Sequence, residues 1–148
     1  MRIYFAGPLF TPYERSFIEE CAARLRDEEF EVFVPHEHAL AAIPEVEPAS
    51  IFEQDWPGIE SAHAVLALLD GPTVDDGVAC EIGLFHALAR AEPWRHGVVG
   101  LLTDMRGTRR GSFDVNPFVR GCIEETGGEI VASLDAAIAV LAAWRATM

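Results

Sequence analysis

Residues 64–83 constrain this chain more than any other stretch. They read Ala-Val-Leu-Ala-Leu-Leu-Asp-Gly-Pro-Thr-Val-Asp-Asp-Gly-Val-Ala-Cys-Glu-Ile-Gly. The run Ala64 to Leu69 is apolar without interruption, which suits a strand covered on both faces, as in a parallel sheet. Asp70-Gly71-Pro72 stops it with turn chemistry. Asp75 and Asp76 stand where a helix would begin, and a helical pattern runs from Gly77 to about Arg90. The segment is a strand, an acidic loop and a helix. Ligands of open parallel sheets bind outside the carboxyl ends of the strands. Asp75, Asp76 and Glu81 gather at that place and form a candidate site.

The flanking sequence repeats the same alternation. Arg2 to Ala6 reads as a short strand ended by Gly7-Pro8. Thr11-Pro12-Tyr13-Glu14 is a capping box with proline at the first helical position. Phe17, Ile18, Cys21, Ala22 and Leu25 then recur at helical spacing until about Glu28. Phe30 to Val34 is expected as the second strand, making a right-handed βαβ unit. Pro35 to Ala49 reads as a loop, because Pro44 and Pro48 oppose one long helix. Ser50-Ile51-Phe52-Glu53 is a second capping box, and Pro57 is expected to kink or split the helix that follows. Gly97 to Thr103 is a fourth strand. Asp104 to Asp114 carries the arginine cluster Arg106, Arg109 and Arg110 in an expected mobile loop. Asn116-Pro117 opens a helix that stops at Gly127-Gly128. Glu129 to Ala132 is a fifth strand, and Ser133 caps a last helix with Leu134, Ala137, Ile138, Leu141 and Trp144 on one side. The fold class is α/β: one three-layer, doubly wound domain over residues 1–148, with about five parallel strands in the order 2-1-3-4-5.

Composition bounds the partners. Half of the residues are apolar and the formal net charge is -13. A folded domain follows, and binding to nucleic acid or to an anionic membrane surface is not expected. No apolar run approaches ~20 residues, so no membrane span is expected. The N-terminus reads as the first strand rather than a leader. Cys21, Cys80 and Cys122 are far apart without paired spacing, each inside a helical pattern among apolar neighbours. They are expected as free, buried thiols in a reducing cytoplasm.

Among groups that could do chemistry, Glu81 comes first. It lies one to two turns into a helix whose positive end favours an ionised carboxylate. Gly77, four residues earlier, shares its face and leaves space above it. A desolvated carboxylate can attack an oxocarbenium-like carbon. Of Asp75 and Asp76, one is expected to cap the helix and the other to meet a ligand. Asp75 can approach Glu81 only by lying outside the helix. Asp55 is a third carboxylate, on the preceding element. His36-Glu37-His38 is placed to touch a ligand, but no histidine pair has metal-binding spacing. No phosphate loop or dinucleotide fingerprint is present.

These residues resemble the nucleoside 2-deoxyribosyltransferase family from Ile3 to about Gly121. The matching pieces are Ile3-Tyr4-Phe5-Ala6-Gly7-Pro8-Leu9-Phe10, Asp55 with Gly58-Ile59, Asp75 through Gly83, and Asn116-Pro117-Phe118. The resemblance implies that Glu81 is the nucleophile that attacks C1′ of a 2′-deoxynucleoside, oriented by Tyr4. It implies that Asp55 and Asp75 bind the base and help protonate it, with Asp75 delivering the proton and Asp55 nearby, and that Gly7, Pro8, Phe10 and Gly77 are among the substrate-binding residues. Asn116 would bind the 5′-hydroxyl in a neighbouring subunit's site, in a homodimer or a hexamer of dimers; it is equally a helix cap. The first loop and the C-terminus Trp144 to Met148 depart from the pattern of well-studied members, which bears on base preference. A related branch hydrolyses 2′-deoxynucleoside 5′-monophosphates and tends to carry serine where Asn116 stands. The resemblance thus implies a transferase without metal or organic cofactor. N-glycoside hydrolysis is the alternative activity, and a nucleoside- or nucleotide-binding sensor is the alternative without catalysis.

Overall fold

The computed structural model describes residues 1–38, 48–105 and 115–148. Among the described residues, five strands, β1 (Arg2–Ala6), β2 (Glu31–Phe33), β3 (Ala64–Leu68), β4 (Val98–Leu101) and β5 (Ile130–Val131), form one sheet in the order β2-β1-β3-β4-β5. All neighbouring pairs are parallel. The helices are α1 (Pro12–Asp27), α2 (Pro48–Ser61), α3 (Asp76–Ala91), α4 (Pro117–Glu125) and α5 (Leu134–Arg145), with a short 3-10 turn at Pro35–Glu37. This is the expected three-layer, doubly wound α/β fold.

Five of the six residues of the apolar run Ala64–Leu69 form β3, and all six are buried. Side chains alternate across it. Ala64, Leu66 and Leu68 enter a core with Ile18, Leu25, Ala137 and Leu141, under α1 and α5. Val65, Ala67 and Leu69 enter a second core with Ile59, Val78, Ile82, Phe85 and Ile123, under α2, α3 and α4.

Local signals account for most helix starts. Both halves of the Thr11–Glu14 capping box are formed. Ser133 accepts from the Ala136 N–H, and Asn116 from those of Phe118 and Val119. After α4, Gly127 takes a φ of 77°, and Gly128 donates its N–H to the Ile123 carbonyl. That is a Schellman-type stop, in which the left-handed residue is glycine because a side chain would be strained there.

Several expected boundaries move. Strand β2 is three residues long, with Phe30 and Val34 outside it; β4 stops before Leu102 and Thr103, and β5 keeps two residues. Helix α2 starts at Pro48, so Ser50 lies inside the first turn and the expected capping box does not form the start. Proline is already shaped for the first helical position. Pro57 neither splits nor ends α2. Its ring is on the exposed side, while Gly58 and Ile59, the next residues, are buried and hold the second half of the helix on the core. Cys21 and Cys122 are buried but Cys80 is exposed, against expectation, because it lies on the outward side of α3. The arginines at 106, 109 and 110 and most of the 35–49 loop lie outside the described residues.

Candidate active site

The carboxyl ends of β1 and β3 meet α2 and α3 on one face of the sheet, and the candidate residues converge there. Tyr4 is a central residue of β1 and is fully buried. Its hydroxyl donates to Glu81 Oε1 at 2.5 Å, across 77 residues of sequence. Burial and the neighbouring Glu81 carboxylate push the phenol well above its ordinary pKa, so Tyr4 keeps its proton and remains a donor.

Glu81 differs from its expected state. Burial pushes its carboxyl up from an ordinary 4.5 to about 7; the Tyr4 hydrogen bond opposes the rise, and the charges of Asp55 and Asp75 add to it. The helix terminus does not hold it fully ionised, since its effect fades beyond the first turn and α3 begins at Asp76. Desolvation and two like charges outweigh one hydrogen bond.

Asp75 is the N-cap of α3: its Oδ1 accepts from the Val78 N–H at 3.1 Å. Asp76 is exposed, and its Oδ1 accepts from the Gly77 N–H. The cap and the proximity to Glu81 therefore fall on the same aspartate rather than being divided between the two. A Cβ on Gly77 would sit 3.1 Å from Asp75 Oδ1, so glycine spares the cap oxygen as well as leaving room at the helix start.

Asp55 comes from α2, and burial raises its carboxyl above the ordinary range. Gln54 bridges it to the preceding strand region, donating to Asp55 Oδ1 and to the Pro35 carbonyl, each at 3.2 Å. His38 acts on Asp55 electrostatically and opposes the rise. In the sequence His38 stands out only as one of the trio His36-Glu37-His38, and nothing local distinguishes Gln54 or Phe33. Phe33 stacks on Tyr4, and His38 on Phe33. The signal was present: Phe33 is the register partner of Tyr4 in adjacent strands, which follows once the strand order is known.

The contacts shown for Gly7, Pro8 and Asn116 are made with other parts of the chain. A Cβ on Gly7 would fall 2.6 Å from Ile18 Cδ1, so Gly7 lets β1 pass close to α1. Pro8 lines a cleft of about 350 Å³ with Tyr13, Phe17, Leu68, Asp70 and Thr103, which opens on the α1 side. Asp70 ties the two loops there, accepting from the backbone N–H groups of Thr103 and Asp104 at 2.6 and 2.9 Å. Phe10 is exposed, as is Asn116, whose Oδ1 is engaged in capping α4. Among the described residues, no group of three or more His, Cys, Asp or Glu side chains is arranged to hold a metal ion.

A buried carboxylate, a tyrosine hydroxyl donating to it and two more carboxyls beside it can combine nucleophilic attack with proton transfer. Comparison with known proteins agrees with the fold. The structure is similar to a conserved protein of Enterococcus faecalis V583, with 26% identity, a TM-score of 0.78 and coverage of 93% of this chain and 94% of that one. It is also similar in fold to the 2-deoxyribosyltransferase of the psychrotolerant bacterium Bacillus psychrosaccharolyticus (20% identity, TM-score 0.72, 93% and 90% covered). A third likeness is to the CMP N-glycosidase BcmB of Clostridium botulinum (17% identity, TM-score 0.63, 97% and 99% covered). No curated protein sequence matches the chain. The model of the nucleoside 2-deoxyribosyltransferase family matches residues 3–142, nearly the whole chain, and the protein belongs to that family.

Proposed function

We propose that the protein transfers 2-deoxyribose between nucleobases through a sugar ester on Glu81. The observation that carries this reading is the Glu81 carboxyl itself: buried at the crevice, 2.5 Å from the Tyr4 hydroxyl, with Asp55 and Asp75 close enough to act on it. In its ionised form Glu81 attacks C1′ of a 2′-deoxynucleoside. The glycosidic C–N bond breaks and its electron pair passes to the base nitrogen, which takes a proton from an aspartate. The Glu81 carboxylate stabilises the positive charge that develops on the sugar before it bonds to C1′. A second base then attacks C1′, returns a proton to the aspartate and releases Glu81. Two inversions give net retention.

Of the two aspartates, Asp55 is better suited to supply the proton. Burial favours its neutral form, whereas an Asp75 oxygen is occupied by backbone N–H capping. This shifts the proton-donor role from Asp75, where the family pattern first suggests it, towards Asp55. Asp75 then orients the base. The reading also makes the protein a homo-oligomer, with the exposed Asn116 and Phe118 at the start of α4 facing a neighbour.

Water in place of the second base would make the same site an N-glycosidase, and the fold likeness to a CMP N-glycosidase puts nucleotides among the substrates to test. The experiment is a panel: thymidine, deoxyuridine and deoxyinosine and their 5′-monophosphates, each with and without free adenine. Exchange products from the nucleosides are expected, with ping-pong kinetics. Glu81→Ala is expected to lose at least ~10³-fold, and Asp55→Asn about 10²–10⁴-fold, as for loss of a general acid. Free base without exchange, from monophosphates alone, would replace transfer by hydrolysis. Saturable binding with no turnover anywhere on the panel would leave a sensor.

A further inference from the structure

The Tyr4–Glu81 hydrogen bond depends on where the Tyr4 ring stands, and that ring is braced by residues with no place in the proposed reaction. Tyr4 and Phe33 are register partners on adjacent parallel strands, so their side chains leave the same face of the sheet about 5 Å apart. The two rings stack at 5.5 Å between centroids and 15° between planes. His38, at the end of the 3-10 turn that follows β2, stacks on Phe33 in turn, at 4.3 Å and 12°. The three rings form a column that starts at the exposed His38 and ends at the fully buried Tyr4.

Helix α2 closes the column from another side. It passes over Phe33 at Gly58, where a Cβ would lie 2.6, 2.7 and 2.8 Å from three atoms of the ring. Only a glycine lets the helix backbone come that close. Phe33 is therefore fixed by three separate parts of the chain: β1 through Tyr4, the 3-10 turn through His38, and α2 through Gly58. Phe33 itself belongs to a three-residue edge strand, which contributes little backbone pairing of its own.

We propose that Phe33 is a positioning residue, seated by Gly58 and covered by His38, that holds the Tyr4 ring where its hydroxyl meets the Glu81 carboxylate. Its catalytic consequence rests on the role proposed for Glu81, but the contact can be read without any reaction. A hydrogen bond fixed at 2.5 Å weakens steeply as distance and angle drift. Loosening the ring should thus cost the carboxylate its donor and favour the neutral acid. Among the described residues, the other groups acting on Glu81 are Asp55 from α2 and Asp75 from the turn before α3, both in the opposite sense to the Tyr4 hydrogen bond. His38 reaches this set through Asp55.

The test is a pH titration of the Glu81 carboxyl by carbon NMR in protein labelled at glutamate, with the signal assigned by its loss in Glu81→Gln. Phe33→Leu keeps the site apolar and dry but removes the flat face. It is expected to raise the Glu81 midpoint by about one pH unit, the scale of a charge-assisted hydrogen bond. Phe33→Tyr keeps the ring and should titrate like the wild type. In a Tyr4→Phe background, Phe33→Leu should add nothing further. Gly58→Ala, which pushes a methyl group into the ring, is the second handle and should shift the midpoint in the same direction as Phe33→Leu. An unchanged midpoint in Phe33→Leu overturns the proposal, as does a rise that persists undiminished without the Tyr4 hydroxyl. Should Phe33→Leu not fold, an unchanged midpoint in Gly58→Ala overturns it equally. Because no substrate enters the measurement, this failure is distinct from failure of the exchange panel.

Discussion

A carboxyl group removed from water holds its proton more tightly than one on the surface, and Glu81 carries that preference into the folded state. With a folded pKa near 7 against an ordinary 4.5, the native protein binds more protons than the unfolded chain between those values. Stability contributed by this group is therefore present in acid and is lost as pH rises through the window, by up to about 3 kcal/mol. Glu81→Gln keeps an acceptor for the Tyr4 hydroxyl and removes the titration. Its melting temperature should exceed that of the wild type at pH 8, and the advantage should vanish near pH 4. Urea melts across the same pH range check the sign; a wild type that gains stability between pH 5 and 8 relative to Glu81→Gln would contradict it. The same titration predicts that turnover rises through pH 7 as the nucleophile ionises. Glu81 and Asp75 could be singled out from sequence because helix chemistry and the crevice rule place them within seven residues of each other. The ionisation state of Glu81 could not, because it depends on burial by β1 and on Asp55, 26 residues earlier.

At the scale of elements, the starts of α1, α4 and α5 were legible because their caps are written within three or four residues. The end of α2 was not. It is closed by Arg95, whose guanidinium donates to the Ala62 and Glu60 carbonyls, each at 2.6 Å, and to Ile59 at 3.4 Å. Arg95 is 6% exposed, lies 4.1 Å over the Trp94 ring and pairs with Glu92. These partners are local on one side and 33 to 36 residues distant on the other, so no window of sequence reveals the clamp. It fixes the helix that carries Asp55 and Gly58. Lysine cannot reproduce a planar fork that serves several carbonyls. Arg95→Lys should cost about 2–4 kcal/mol, read as a lower urea midpoint with an unchanged slope. A loss under about 0.5 kcal/mol, the range of ordinary surface changes, would show that the helix end needs no clamp. Strand lengths were also hard to read. Short parallel strands end where pairing ends, and the apolar residues around Phe30, Val34 and Leu102 continue past that point.

For the molecule as a whole, the alternation of apolar runs with helices, together with right-handed crossovers, leaves few strand arrangements, and the expected order 2-1-3-4-5 is the one found. With that order the same handedness puts α1 on one face and α2, α3 and α4 on the other; only α5, which makes no crossover, is not placed by the rule. This division brings Asp55 and Glu81 to one side and leaves Pro8 on the α1 side. The two cores this creates have a use outside enzymology. Cys21 belongs to the layer under α1 and α5, Cys122 to the layer under α2, α3 and α4, and Cys80 is exposed. The chain thus carries a reporter thiol in each half of its interior and a reference thiol on its surface. A colourless disulfide reagent should consume one thiol at once and the other two slowly. If the two layers open together, as in a two-state domain, Cys21 and Cys122 should be modified with the same protection free energy once each is corrected for its intrinsic reactivity. Distinct values, located by peptide mapping of the tagged cysteines, would mean that one side of the sheet can come loose while the other stays shut.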